Sequence, residues 1–129
     1  MDIFFQDPSV VPLPPHEVRI RELRVEPWPD QRRIRIYLEL TPFQLRPSGE
    51  ISIIDSAGEE IASASIIETM DPIMELTIHL RGEITPGTYS VRAQVYYLSD
   101  VSEGQGPMDI DQRQRIDVDQ SSQQFELTA

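Results

Sequence analysis

Residues 74–98 read MELTIHLRGEITPGTYSVRAQVYYL, and this stretch decides the fold of the chain. Apolar residues occupy every second position before the turn (Met74, Leu76, Ile78 and Leu80), and the part after it alternates in the same way. A period of two residues is typical of a strand with one buried face, because successive side chains point to opposite sides. Pro86 and Gly87 favour a turn between the two runs. The stretch therefore predicts two strands separated by a turn.

The same alternation continues on both sides of this stretch. It is most regular at residues 32–41, and further strands are predicted at residues 17–26, 50–55, 59–69 and 108–118. A change of phase near Arg21 and Glu22 indicates a bulge in the first strand. Small residues and weak alternation at 59–69 favour an edge position for the fourth. Seven short strands with turns between them predict an all-β fold, a seven-stranded antiparallel β-sandwich.

The segment ITPGTYSV, residues 84–91, resembles the E–F corner of immunoglobulin-like and fibronectin type III-like domains. In those families a tyrosine at the start of the sixth strand bonds back to the backbone, and Tyr89 matches it. Val91 falls where immunoglobulin domains carry their second cysteine, but this chain has no cysteine. Trp28 lies before the second strand instead of on the third. The resemblance implies an architecture and no particular activity.

The chain of 129 residues is long enough for one domain with a core of its own. Residues 1–16 are interpreted as a proline-rich apolar arm and residues 17–119 as the sandwich domain. Residues 120–129 are interpreted as a polar C-terminal tail that frays. Phe125 and Leu127 are the side chains that would anchor it.

Composition and charge narrow the classes of partner and location. A net charge of −11 disfavours nucleic acid and anionic membrane surfaces as partners, because phosphate binding needs a basic surface. The sequence contains no run of 18 apolar residues, so it predicts no membrane-spanning helix. The N-terminal residues do not resemble a signal peptide, so we expect a cytoplasmic location, or an extracytoplasmic one if a leader has been removed.

Catalytic and metal-binding patterns are weak. His16 and His79 lie in the arm and on an outward strand face, without a nucleophile in a recognisable motif. The acidic residues near the last loop (Asp100, Glu103, Asp109 and Asp111) match no calcium loop and are interpreted as a solvated loop. We therefore expect no enzyme, no metal and no cofactor, with a small hydrolase or metal-dependent enzyme as a remote alternative.

The outer face of the sixth and seventh strands is one candidate partner-binding surface. It carries Arg92, Gln94, Tyr96, Arg113 and Arg115. Arginine and tyrosine are favoured at interfaces. The alternative for this patch is pairing within the chain with Asp111, Asp117 or glutamates on neighbouring strands.

A carbohydrate-binding module is the alternative function to a protein-interaction module. Its stacking platform would be formed by Trp28, Tyr37 or Tyr96, and it would require these aromatic rings to be exposed and coplanar.

The arm is the second candidate interaction surface. Its apolar residues are Phe4, Phe5, Val10, Val11 and Leu13, together with Ile3. Proline cannot donate to a ladder, so the arm can only lie at a sheet edge or across a face. Because soluble chains avoid large exposed apolar patches, it must cover its own domain or a second copy. The sequence thus favours a non-catalytic protein-interaction or assembly module, and predicts a homodimer that depends on Phe4 and Phe5.

Overall fold

The computed structural model describes residues 11–99 and 114–128. A short 3-10 helix at Pro15–Glu17 precedes seven strands: β1 (Ile20–Pro27), β2 (Arg33–Leu40), β3 (Ser48–Ile54), β4 (Glu60–Ile66), β5 (Ile73–His79), β6 (Gly87–Ser99) and β7 (Gln114–Leu127). This confirms the predicted all-β fold. The bounds agree with the sequence pattern within a few residues, except at β7.

The strands form two antiparallel sheets, in the orders β1-β2-β5 and β4-β3-β6-β7. Alternation places one face of each strand between the sheets, as β2 shows, where Ile34, Ile36, Leu38 and Leu40 are all buried. The core also contains buried side chains from β3 and β6, among them Ile51, Ile53, Val91 and Val95. The predicted antiparallel sandwich of seven strands is therefore confirmed.

The bulge predicted in the first strand is present. The register of β1 against β2 shifts between Ile20 and Glu22. Val18, before the strand, and Leu23, after the shift, are both buried. The shift explains why apolar residues of opposite phase in the sequence both reach the core.

The prediction of a fraying tail after residue 119 was wrong, because β7 continues to Leu127 and pairs with β6 along its whole length. The register shifts where Val95 and Tyr96 face Asp119 and Asp117, which leaves Val118 as an extra residue. Beyond this bulge, Phe125 and Leu127 point into the core, with 7% and 2% exposure. Their role as anchors is thus confirmed, as part of a strand.

A hairpin turn at residues 55–58 joins β3 to β4. The carboxylate of Asp55 accepts hydrogen bonds from the backbone of Ala57 and Glu59, both at 2.9 Å. Gly58 has a φ of 84°, which glycine adopts without strain. Within residues 11–99 and 114–128, no helix is long and apolar enough to cross a membrane.

Candidate interaction surfaces

The outer face of β6 and β7 holds a network centred on Arg115. Its Nε donates to Asp117 Oδ1 at 2.8 Å, and its Nη2 donates to Gln94 Oε1 at 3.1 Å. The guanidinium carbon lies 4.0 Å from the centroid of the Tyr96 ring. Glu50 on β3 adds a longer ion pair at 3.8 Å. The register of three adjacent strands brings these side chains together.

The surroundings of this arginine favour its charged form. Partial burial disfavours the charged guanidinium, but the hydrogen bond and charge of Asp117, followed by the charge of Glu50, outweigh it. The pKa of Arg115 is therefore raised above its ordinary value. The guanidinium also covers Tyr96, which is only 8% exposed although it faces outward.

Of the predicted partner-binding residues, the structure therefore unites Gln94, Tyr96 and Arg115 in contacts within the chain. Gln94 also donates to Gln120 Oε1 at 3.2 Å. Arg92 is exposed, and the described residues offer it no ion pair or side-chain hydrogen bond. Arg113 lies outside the described residues. The intramolecular alternative thus accounts for the centre of the patch and leaves Arg92 available to a partner.

The three aromatic residues considered for glycan stacking are each paired with an arginine. The guanidinium carbons of Arg33 and Arg24 lie 3.9 Å from the Trp28 ring centroid and 4.1 Å from that of Tyr37.

The three rings do not share a surface. Tyr37 lies on β2 and Tyr96 on β6, which belong to different sheets. Trp28 follows β1. These three rings therefore form no common, uncovered platform for a sugar ring.

An open cleft of about 450 Å³ lies beside β1, lined among others by Arg24, Arg35, Tyr37, Glu75 and Gln123. Arg35 Nη2 is 3.1 Å from Glu75 Oε2, so these two opposite charges already neutralise each other. Neither histidine lines the cleft. Among the described residues no three His, Asp or Glu side chains converge as metal ligands. The acidic residues between 100 and 111 lie outside the described residues.

The described part of the arm docks on its own domain. Leu13 forms an isolated parallel bridge with Phe43 and packs against the core. Its backbone N–H donates to the Pro42 carbonyl at 3.0 Å, and its own carbonyl accepts from Gln44 at 2.9 Å. Val11 is 40% exposed. Phe4, Phe5 and Val10 lie outside the described residues, so the homodimer that depends on them stays a prediction.

The two long sides of the sandwich differ in how their sheet edges are covered. On one side, β1 contacts β7. The backbone N–H of Ile20 donates to Asp119 Oδ2 at 2.8 Å across this side. Both strands also carry several charged residues, which discourage pairing with another strand. This side is therefore protected.

The other side is formed by β4 and β5, each of which is the last strand of its sheet. Among the residues that the structure describes, no strand pairs with the outer edge of β4. Residues 61–67 read IASASII, without a charge or a proline. Ile61 and Ile67 are 38% and 58% exposed. An edge strand of this composition lacks the charges and prolines that natural proteins use to prevent edge pairing.

Further apolar side chains are exposed next to this edge. Met70, in the connection to β5, is 77% exposed, and Ile73 at the start of β5 is 50% exposed. Backbone hydrogen bonds from Glu68 to Ser48 Oγ (3.1 Å) and from Thr69 to the Pro47 carbonyl (2.9 Å) hold the connection against β3. The apolar surface is therefore held in place by the fold.

Sequence reasoning identified β4 as an edge strand but not as a candidate interaction surface. The signal was present, because residues 61–67 form an uncharged run inside a chain with a net charge of −11. What the sequence lacked was the sheet order, which shows that this run lies on a sheet edge, whereas the uncharged run at 51–54 lies on β3 between two neighbouring strands.

No family model matches the chain, and no curated protein matches it. Among the solved structures that match is a β-glucuronidase from Bifidobacterium dentium complexed with coumarin-3-O-glucuronide, with 17% identity and a TM-score of 0.47. The match covers 85% of this chain and 18% of that chain, so this chain spans less than a fifth of the enzyme's length.

Proposed function

We propose that this chain is a non-catalytic protein-interaction module that binds a partner strand along the edge of β4. The observation that carries the proposal is the outer edge of β4, which has no partner among the described residues and no charge at positions 61–67. Alternate backbone N–H and C=O groups of an edge strand point away from the sheet, and an added strand satisfies them. Ile61 and Ile67 supply apolar contacts at both ends.

We further propose an immunoglobulin-like architecture of the fibronectin type III kind. The corner tyrosine supports it, because Tyr89 bonds back to Thr85 before the sixth strand. The sheet order favours the fibronectin type III kind over the immunoglobulin constant type, since β4 pairs with β3 and not with β5. Immunoglobulin constant-type domains place their fourth strand in the sheet of the first, second and fifth strands.

A pair of lysines on β4 tests the proposed function. Ser63 and Ser65 are both exposed on the outer face of β4, and the variant Ser63→Lys/Ser65→Lys places charges on the edge without altering the core. Wild type and variant serve as bait in an extract of the cells that naturally produce the protein. We expect the specifically captured proteins to be lost with the variant, because edge lysines oppose strand addition.

The matched control is Ser122→Lys/Gln124→Lys on β7, with the same spacing, the same added charge and two exposed positions. It should retain what wild type captures. Equal capture by wild type and both variants would show that β4 is not the interaction surface.

A further inference from the structure

The sequence of the open edge is nearly symmetrical about its middle residue. In IASASII, the residues directly before and after Ala64 are both serine, and the residues three positions before and after it are both isoleucine. Antiparallel pairing of two copies about a two-fold axis at Ala64 would therefore place like against like on the outer face of β4, and Ala62 opposite Ile66 on the core side. Ser63 would face Ser65 of the second copy, and Ile61 would face Ile67 of the second copy. The edge is thus complementary to itself.

The burial pattern of β4 supports this register. Ser63 and Ser65 are exposed on the outer face, whereas Ala62, Ala64 and Ile66 are partly buried against the core. When the pairing is centred on Ala64, odd-numbered residues lie opposite odd-numbered residues, and even-numbered opposite even-numbered. The serines therefore stay on the outer face of both copies, and the partly buried residues stay on the core side. A register moved by one residue would place outer-face residues opposite core-facing ones, for example Ser65 opposite Ala64 or Ala62.

Charge favours a second copy at this place over other surfaces of the molecule. Two chains with a net charge of −11 repel each other, so they can associate closely only where the facing surfaces carry few charges. The edges β1 and β7 each carry several charged residues, and β5 carries Glu75. β4 carries only Glu60, at its start, and in the register centred on Ala64 this glutamate would lie opposite Glu68 of the second copy, outside the uncharged run 61–67.

A bulge limits the length of the regular edge. The register of β4 against β3 shifts so that Ile61 is an extra residue between Glu60 and Ala62. The straight part therefore runs from Ala62 to Ile66, with Ala64 at its centre. The bulge lies at one end of the proposed ladder, where Ile61 contributes a side chain and not a hydrogen-bonded pair.

We propose that two copies of this chain pair antiparallel through β4, in the register centred on Ala64, and join their four-stranded sheets into one continuous sheet. This deepens the proposed function and rests on it, since the second copy is the strand that β4 receives. Residues 62–66 of each copy form the ladder, and Ile61 and Ile67 add side-chain contacts at its two ends.

Cysteine cross-linking tests the register directly, because the chain has no cysteine of its own. Directly opposite residues of an antiparallel pair have Cα atoms about 4.5–5.5 Å apart, within the span of a disulfide. A mixture of full-length Ser63→Cys and Ser65→Cys chains, carrying different tags, should therefore form a mixed disulfide on mild oxidation. Each variant alone should cross-link several-fold less, because its own two cysteines lie diagonally, about 7–8 Å apart.

Thr77→Cys, exposed on β5, is the control for random oxidation. Cross-linking of the mixture no greater than that of the control would overturn the proposal. Stronger cross-linking of Ser63→Cys with itself than of the mixture would overturn the register centred on Ala64.

Two charge variants of β4 distinguish pairing with a second copy of the chain from pairing with a strand of an unrelated protein. Ser63→Lys/Ser65→Lys places lysine opposite lysine twice, so sedimentation should show loss of the dimer. Ser63→Lys/Ser65→Glu places lysine opposite glutamate of the second copy twice, and the dimer should return. Dissociation by both variants, or a monomeric wild type, would overturn self-pairing.

The two proposals fail in different ways. If wild type is a monomer but extract capture still depends on β4, self-pairing is wrong and the interaction function stands. If wild type neither dimerises nor captures a partner through β4, both proposals are wrong.

Discussion

The hydroxyl of Tyr89 donates a 2.6 Å hydrogen bond to the backbone carbonyl of Thr85, four residues earlier in the chain. The ring of Tyr89 also stacks on that of Phe125, with centroids 5.7 Å apart. One side chain thus fixes the turn before β6 and joins it to the end of β7. The contact closes the corner expected from the resemblance, and it connects the corner to the last strand.

Removing this hydroxyl should weaken the fold measurably. Tyr89 is only 4% exposed, so Tyr89→Phe leaves the buried ring in place and removes the hydrogen bond to Thr85. We expect the free energy of unfolding to fall by roughly 0.5–1.5 kcal/mol in urea denaturation. Thr85→Ala keeps the carbonyl and removes only the longer 3.3 Å contact between Thr85 Oγ1 and the Tyr89 hydroxyl, so its effect should be smaller than that of Tyr89→Phe. An unaltered midpoint and slope for Tyr89→Phe would contradict the structural role of the corner.

The end of β7 should contribute more to stability than its polar sequence suggests. Phe125→Ala removes a buried ring that packs on Tyr89, and such substitutions cost about 3–5 kcal/mol in protein cores. The neighbouring Gln124→Ala, at an exposed position, should change stability by less than about 0.5 kcal/mol. Equal effects of the two substitutions would show that residues 120–127 do not form the strand described here.

Arg115 and Arg92 offer a comparison on one face of the sheet. Arg115 stacks on Tyr96 and pairs with Asp117, whereas Arg92 is exposed and has no such contact among the described residues. Arg115→Ala should lower the free energy of unfolding by about 1 kcal/mol, because it loses a stacked cation and an ion pair at a partly exposed site. Arg92→Ala should change it by less than about 0.5 kcal/mol. Thermal denaturation of both variants checks this.

The turn between β1 and β2 predicts a pH dependence. The carboxylate of Asp30 accepts backbone hydrogen bonds from Arg32 (3.0 Å) and Arg33 (3.2 Å), and a side-chain hydrogen bond from Arg33 (2.7 Å). These hydrogen bonds, above all the one from the Arg32 backbone, lower the pKa of Asp30, although desolvation acts in the opposite direction. Because the pKa is lower in the folded state, the contribution to stability is fully present above the unfolded value. It is lost as the pH falls through the folded value.

Trp28 reports on this titration because it is the only tryptophan and Arg33 stacks on it. Its fluorescence should change as acid protonates Asp30 and releases Arg33. Asp30→Asn should abolish that change, whereas Asp71→Asn, at an exposed position in another turn, should retain it. Persistence of the same acid transition in Asp30→Asn would assign it to a different group.

The regular part of the fold was predictable because it is encoded locally. In β2, each inward position carries isoleucine or leucine, so alternation alone gives the strand and its buried face. The corner at Tyr89 was also local, since its bond spans four residues. Even the bulge in β1 followed from the change of phase between Val18 and Leu23.

The rest depends on contacts between distant parts of the chain. Residues 120–124 read QSSQQ and give no apolar alternation, yet they belong to β7 because β6 supplies the pairing. β7 is an edge strand, so polar inward positions such as Ser121 and Gln123 remain partly or fully exposed. Similarly, the burial of Tyr96 results from Arg115, which the strand register places over its ring.

The remaining prediction separates the arm from the β4 edge as the cause of self-association. The sequence predicted a homodimer that depends on Phe4 and Phe5, whereas the structure shows Leu13 of the arm packed on its own domain at Phe43. If the edge of β4 forms the dimer, the full-length variant Phe4→Ser/Phe5→Ser should still dimerise in light scattering across a range of concentrations. The control is Ser63→Lys/Ser65→Lys, which should be monomeric. The opposite result, a monomeric Phe4→Ser/Phe5→Ser chain and a dimeric lysine variant, would assign the association to the arm. The serine variant removes two apolar side chains from the arm and leaves the β4 edge unchanged.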